Sequence, residues 1–163
     1  MSILMQLHLS GYSGGMKSKP DAPSSEIVRA WTRLNRAQRF LFERIEGELK
    51  AGGLPPLIVY DALLELGRAP DRRLRQVDLE EAMLFPQYSI SRLVDRLEKD
   101  RLVKRERCED DGRAHWVTIT EKGMKLREAM WAVYGEALMR HLGEKLGKAE
   151  ASALADALEK LYR

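Results

Sequence analysis

Between residues 86 and 99 the apolar side chains are Ile90, Leu93, Val94 and Leu97. That is the i, i+3, i+4, i+7 spacing of one helical face. At about 100° per residue, the opposite face carries Tyr88, Arg92, Asp95 and Lys99, with Arg96 at its edge. Pro86 suits the first turn of such a helix, where its missing N–H costs little. The same test predicts a nearly all-apolar helix over 57–66, opened by Pro55-Pro56 and stopped by Gly67. A basic loop, Arg68 to Arg75, leads to a short helix from about Gln76 to Leu84, with Val77, Leu79 and Met83 as its apolar positions. Further on, 102–108 and 114–120 read as two strands, and Val117 and Ile119 mark the apolar side of the second. The turn between them is Glu109-Asp110-Asp111-Gly112-Arg113, and Asp-Gly is a strong hairpin signal.

A short helix, a tight connection and a helix with a polar outer face make a helix-turn-helix. A two-stranded ribbon attached after it makes a winged helix. Gln87, Ser89 and Ser91 sit beside Tyr88 at the start of the second helix. Arg suits guanine, Gln adenine, Ser either, and Lys a phosphate. Gln87, Tyr88, Ser89, Ser91, Arg92, Arg96 and Lys99 are therefore the candidate DNA-reading set. The bland alternative is an ordinary solvated face. Arg113, at the ribbon tip, is the candidate for the adjacent minor groove. Arg72, Arg73 and Arg75, in the densest basic cluster, are either phosphate contacts or a solvated loop.

The run from Ser89 to Lys99, then Leu102-Val103, Asp111-Gly112-Arg113-Ala114 and Thr118-Ile119-Thr120-Glu121-Lys122-Gly123, resembles the MarR family of bacterial transcriptional regulators. The resemblance covers about residues 25 to 162, and its most diagnostic part is the D-x-R wing motif followed by a strand and T-x-x-G. It implies a homodimer on a pseudo-palindromic operator, often near its own gene, released by a small ligand or an oxidant. It implies that Asp111 supports the wing rather than touching DNA. It also implies a ligand cavity between the dimerisation helices and the winged region, for which Trp31, Tyr60, Trp131 and Tyr134 are the candidate lining residues, each of them otherwise plain core. Two positions depart from the family pattern. Pro86 stands where many members have a Ser cap, and Asp100-Arg101 where Lys-Gly is common.

The terminal segments complete the layout. A long helix runs from Pro23-Ser24-Ser25-Glu26 to about Ala51, ended by Gly52-Gly53, with Ile27, Trp31, Leu34, Leu41 and Ile45 on one stripe. Thr120 caps a helix continued by Met124, Met130, Trp131, Tyr134, Leu138 and Leu142 and broken by Gly143 and Gly147. A last helix holds Leu154, Leu158 and Leu161. The expected organisation is a flexible segment at 1–23 and one mainly α domain with a small β-wing at 24–163. Residues 24–53 and 121–163 are its dimerisation helices, and 54–120 its winged helix-turn-helix. Apolar stripes at both ends suit dimerisation, and a winged helix needs a second copy to reach a second half-site.

Composition changes this picture little. The 163 residues suffice for one core, and 44% hydrophobic with 33% charged residues describe a globular, helix-rich chain. A net charge of +3 permits nucleic-acid binding without demanding it, so the signal lies in where charge is placed. One cysteine excludes an intrachain disulfide and a Cys-based zinc cage, and suits the cytoplasm. That cysteine, Cys108, reads as packing. A redox switch would draw on Arg105 and Arg107 nearby, and oxidant-sensing relatives carry their cysteine in the first helix, where this chain has none. Gly11-Tyr12-Ser13-Gly14-Gly15 matches G-x-S-x-G, but a linker follows it rather than a helix. Met16 offers an alternative start. His8, His115 and His141 lack metal-ligand spacing, no run is long enough to span a membrane, and neither an enzyme nor a cofactor is expected. The reading is a homodimeric operator-binding repressor with a small aromatic effector. The competing reading is a winged helix that binds a protein partner through the same face.

Overall fold

The computed structural model describes residues 22–83, 87–108 and 114–162, with backbone alone for 87–89. The chain separates into two compact units, Met1–Asn35 and Arg36–Arg163. The described part of the first unit belongs to α1 (Ser25–Ala51), which continues into the second. Ser24 Oγ accepts from the Ile27 N–H at 3.4 Å and so caps the helix start. Ile27 and Trp31 are 62% and 67% exposed, while Ile45 and Leu49, near the other end of α1, are buried. The apolar stripe of α1 is thus covered by its own chain only in its last turns.

In the second unit, α2 (Leu57–Arg68) is the centre of the core. It buries Leu57, Val59, Tyr60, Ala62, Leu63 and Leu66. Pro56 gives no side-chain cap, and the Glu46 carboxylate of α1 takes over by accepting from the Leu57 N–H at 2.8 Å. Gly67 does not stop the helix, as its sequence suggests it should. The missing side chain at Gly67 leaves room for the Arg127 guanidinium, whose Nη1 lies where a Cβ would stand.

The segment read as a basic loop contains a strand. After a turn in which Asp71 and Arg72 take left-handed φ of 55° and 56°, β1 (Arg73–Arg75) pairs antiparallel with β3 (His115–Ile119). β3 also pairs with β2 (Val103–Arg107), giving a three-stranded sheet in the order β1-β3-β2 among the described residues. A three-residue strand with one leucine is too short to show a period of two. Its register, Leu74 opposite Val117, puts Leu74 against the core. The helix-turn-helix is α3 (Gln76–Met83) and α4 (Gln87–Lys99), which close over Leu79, Met83, Ile90, Leu93, Val94 and Leu97. From α5 (Glu121–Leu138) the chain passes through a π-turn at Met139–Gly143 to α6 (Lys148–Glu159).

One joint ties the winged region to α5. At the end of α4 the Leu102 N–H reaches the Leu97 carbonyl at 2.8 Å and the Arg101 N–H the Glu98 carbonyl at 2.9 Å. This is the Schellman pair, which requires a left-handed residue at position 101. Arg101 supplies it with φ 59°. Thr120 Oγ1 donates toward the Arg101 carbonyl at 2.8 Å and accepts from the Gly123 N–H at 3.1 Å, and its own N–H reaches the Leu102 carbonyl at 3.0 Å. Gly123 is needed because a Cβ there would collide with the Leu102 carbonyl oxygen. Thr120 and Gly123 of the T-x-x-G signature are therefore the cap and the clearance of one contact.

Two substitutions at this joint should act in opposite directions. Arg101→Gly relieves the left-handed strain and should stabilise by about 0.5–1 kcal/mol. Gly123→Ala forces backbone apart and should destabilise by about 2–3 kcal/mol. Urea unfolding of both variants checks this, and a Gly123→Ala variant as stable as the parent would refute the close approach.

Candidate nucleic-acid interface

α4 is amphipathic as its spacing requires. Ile90, Leu93, Val94 and Leu97 are buried, while Arg92, Asp95, Arg96 and Lys99 are exposed and Ser91 is half-buried. The side chains of Gln87, Tyr88 and Ser89, and the whole of Asp111 and Arg113 at the wing tip, lie outside the described residues.

α4 also carries two carboxylates, Asp95 and Glu98. Both are taken up by one side chain from the sheet. Arg105 Nη2 donates to Asp95 Oδ1 at 2.6 Å, and Arg105 Nε lies 3.8 Å from Glu98 Oε2. The Arg105 N–H donates to Glu98 Oε1 at 3.1 Å. The pairing cancels acid on α4 and leaves Arg92, Arg96 and Lys99 to set its sign. Arg105 is the residue that the linear reading assigned to the surroundings of Cys108. The signal was available, because Asp95 and Glu98 are i and i+3 on one helical face and Arg105 shares the period-two face of Val103. Cys108 itself is buried at 4% exposure, as a packing residue would be.

The basic cluster divides. Arg72 turns to α5, with Nη1 3.0 Å from the Met124 sulfur and 3.5 Å from Glu121 Oε1. Arg73 and Arg75 instead lie over the ring of Trp116, with guanidinium carbons 4.6 and 5.4 Å from its centroid. Trp116 went unremarked in the sequence, although it alternates with Val117 across β3.

A separate cavity of about 570 Å³ opens between α2 and α5. Tyr60, Trp131 and Tyr134 meet in it. The Tyr60 and Trp131 rings stack at 6.1 Å between centroids, and Tyr134 stands edge-on to both at 5.1 and 5.7 Å. Trp31, the fourth candidate, belongs to the other unit and is exposed. Arg68, Arg127, Asp61 and Glu128 also line the cavity. Burial pushes the Asp61 carboxyl up to about 6, helped by the negative charges of Glu65 and Glu46. Burial likewise raises the Tyr134 phenol, aided by Asp61 and Tyr60. It raises that of Tyr60 too, against the pull of Arg127 and Arg68. The cavity therefore offers aromatic walls, a cationic pair and one poorly solvated carboxyl. Among the described residues no group of three or more His, Cys, Asp or Glu could hold a metal ion, and no helix is long and apolar enough to cross a membrane.

Residues 52–114 match the family model for the MarR family. No curated protein sequence matches the chain. Among solved structures, AbsC, a MarR family transcriptional regulator from Streptomyces coelicolor, is 26% identical with a TM-score of 0.77, over 86% of this chain and 95% of its own. Sco3205, a MarR family regulator from the same organism in complex with DNA, is 23% identical with a TM-score of 0.79, over 87% of this chain and 89% of its own. BpsR from Bordetella bronchiseptica, whose DNA binding is regulated by 6-hydroxynicotinic acid, is 21% identical with a TM-score of 0.74, over 83% of this chain and 99% of its own. The family signature falls on the helix-turn-helix and wing, and the fold extends over most of the remaining length. Residues 52–114 are thus similar to the MarR family in sequence, and the chain as a whole shares the fold of MarR family regulators.

Proposed function

We propose that this chain is a transcriptional repressor that binds a pseudo-palindromic operator as a homodimer. The observation that carries the reading is α4, whose apolar side is buried while Arg92, Arg96 and Lys99 stand exposed and its acids are tied to Arg105. Such a helix is shaped for a major groove rather than for an apolar protein partner. The DNA complex of Sco3205, which shares the fold, supports it. Arg92 and its neighbours Gln87, Tyr88, Ser89 and Ser91 read bases, Arg96 and Lys99 neutralise phosphates, and Arg113 enters the minor groove from a wing tip that Asp111 holds. Dimerisation is supported by the large apolar side chains that the terminal helices leave uncovered, Ile27 and Trp31 at one end and Leu161 and Tyr162 at the other. The protein works on the bacterial chromosome, in the cytoplasm, as a regulator without catalytic activity.

The cavity between α2 and α5 is the effector site in this reading, and its aromatic walls suit a small aromatic ligand. The regulation of BpsR by 6-hydroxynicotinic acid supports a ligand of that class. A ligand bound there would favour a half-site spacing unsuited to one turn of DNA.

Binding to DNA fragments selected from a random pool, with the oligomer measured by light scattering, tests the proposal. Arg92→Ala should cost about 1–3 kcal/mol on the selected site and relax preference at one position per half-site. Equal losses on selected and random DNA would reduce Arg92 to a phosphate anchor, and a monomer at micromolar concentration would remove the dimer.

Asp61 gives a second test, independent of DNA. Its carboxyl titrates near 6 in the folded chain against 3.8 ordinarily, so the folded state holds more protons between those values. Stability should therefore fall as pH rises through that window and stay reduced above it. Asp61→Asn should remove this slope and stabilise the protein by about 1–2 kcal/mol near neutral pH, converging with the parent at about pH 4. Parallel stability curves from about pH 4 to 8 would show that Asp61 is fully solvated.

A further inference from the structure

The outer face of the sheet is not used by the recognition helix. The register fixes which side chains share it. Arg73 lies opposite Thr118 and Arg75 opposite Trp116 on one side of β3, and Lys104 and Glu106 face the same two residues from the other. Leu74, Val117 and Arg105 belong to the inner face. Two guanidinium groups on this outer face share one indole, at 4.6 and 5.4 Å. A guanidinium stacked by its flat side keeps its N–H edge for oxygen acceptors, so the indole fixes both groups without using up their donors. Carboxylates on this face are few and partly engaged. Glu106 is bonded to Lys104 at 2.8 Å, and Asp71 stands 3.9 Å from Arg73 while remaining 80% exposed.

The position of the pair says what it is for. Arg75 immediately precedes Gln76, the first residue of α3, and the first helix of a helix-turn-helix crosses the phosphate backbone. α3 cannot supply the cation for that crossing, because its charged side chains are Asp78, Glu80 and Glu81. β1 can. Trp116 lies on the strand that leaves the wing, so the ring also links the pair to the wing's own strand.

We propose that Trp116 is a positioning residue that holds Arg73 and Arg75 as a paired phosphate clamp flanking the recognition helix. The proposal rests on the DNA-binding reading and adds a second anchoring point to it. Clamping is through charge and geometry, so it is blind to sequence. Arg72, although adjacent, is not part of it, being turned to Met124 and Glu121.

The experiment is salt-titrated binding of the full chain to a selected site and to random duplex DNA. Arg73→Ala with Arg75→Ala should weaken both equally and lower the salt slope by about two phosphate equivalents. Trp116→Leu removes no charge and keeps apolar bulk, yet should lower the slope by about one. Trp116→Phe, which keeps an aromatic face, should restore most of it. Melting curves confirm that each variant is folded. A residue of purely structural importance would change the melting temperature and leave the slope alone. A wild-type slope in Trp116→Leu, or in the double arginine variant, overturns the clamp while Arg92-dependent binding still stands. If the parent protein bound no duplex even at low salt, the clamp and the DNA-binding reading would fall together.

Discussion

A three-way backbone contact sets the winged region in place. The last turn of α4, the end of β3 and the first turn of α5 meet at Thr120, whose hydroxyl joins the Arg101 carbonyl to the Gly123 N–H. The contact uses two carbonyls from the link between α4 and β2, those of Arg101 and Leu102, and one of the amides that the start of α5 leaves unpaired. Lys122 adds a bond from Nζ to the Asp100 carbonyl at 2.8 Å. Because these are backbone atoms at element ends, the recognition helix cannot tilt without moving the start of α5. The helix that contributes Trp131 and Tyr134 to the cavity is thus rigidly joined to the one that carries Arg92. Under the proposed function, this joint is where a change at the cavity would be passed to α4.

Charge follows the same economy of parts. Arg105 answers two carboxylates from one side chain while holding β2 against α4, so one residue settles both the sign of the helix and its distance from the wing. Exposed ion pairs contribute little to stability. This one is largely shielded on the arginine side, at 22% exposure, and it takes up the acid of the exposed face of α4.

Most of the architecture was legible because it is written in local patterns. The apolar spacing of α4 and the Thr120 cap each depend on residues within one or two turns of one another. What escaped the sequence depends on partners far along the chain. β1 is visible only beside β3, Gly67 looks like a stop until Arg127 fills its space, and Arg105 needs Asp95 and Glu98 to show its role. Of the proposed cavity residues, Tyr60, Trp131 and Tyr134 share a helical pair and come together, whereas Trp31 is on α1 and exposed. The basic cluster read as one patch because adjacency in sequence hides direction: Arg72 ends a left-handed turn and goes to α5, while Arg73 opens β1 and goes to Trp116.

The π-turn at Met139–Gly143 fixes more than a bend. In an α-helix adjacent side chains diverge by about 100°. Here the neighbours Arg140 and His141 both reach the Glu48 carboxylate, at 2.6 and 2.5 Å, and that pairing holds its carboxyl below the usual range. A π-turn amounts to one inserted residue. The extra residue brings two successive side chains round to one carboxylate. The turn is thereby anchored to α1 through Glu48, and the residues from Glu144 to Gly147 then carry the chain into α6. Deleting one residue from Met139–Gly143 would therefore swing one of the two side chains away from Glu48.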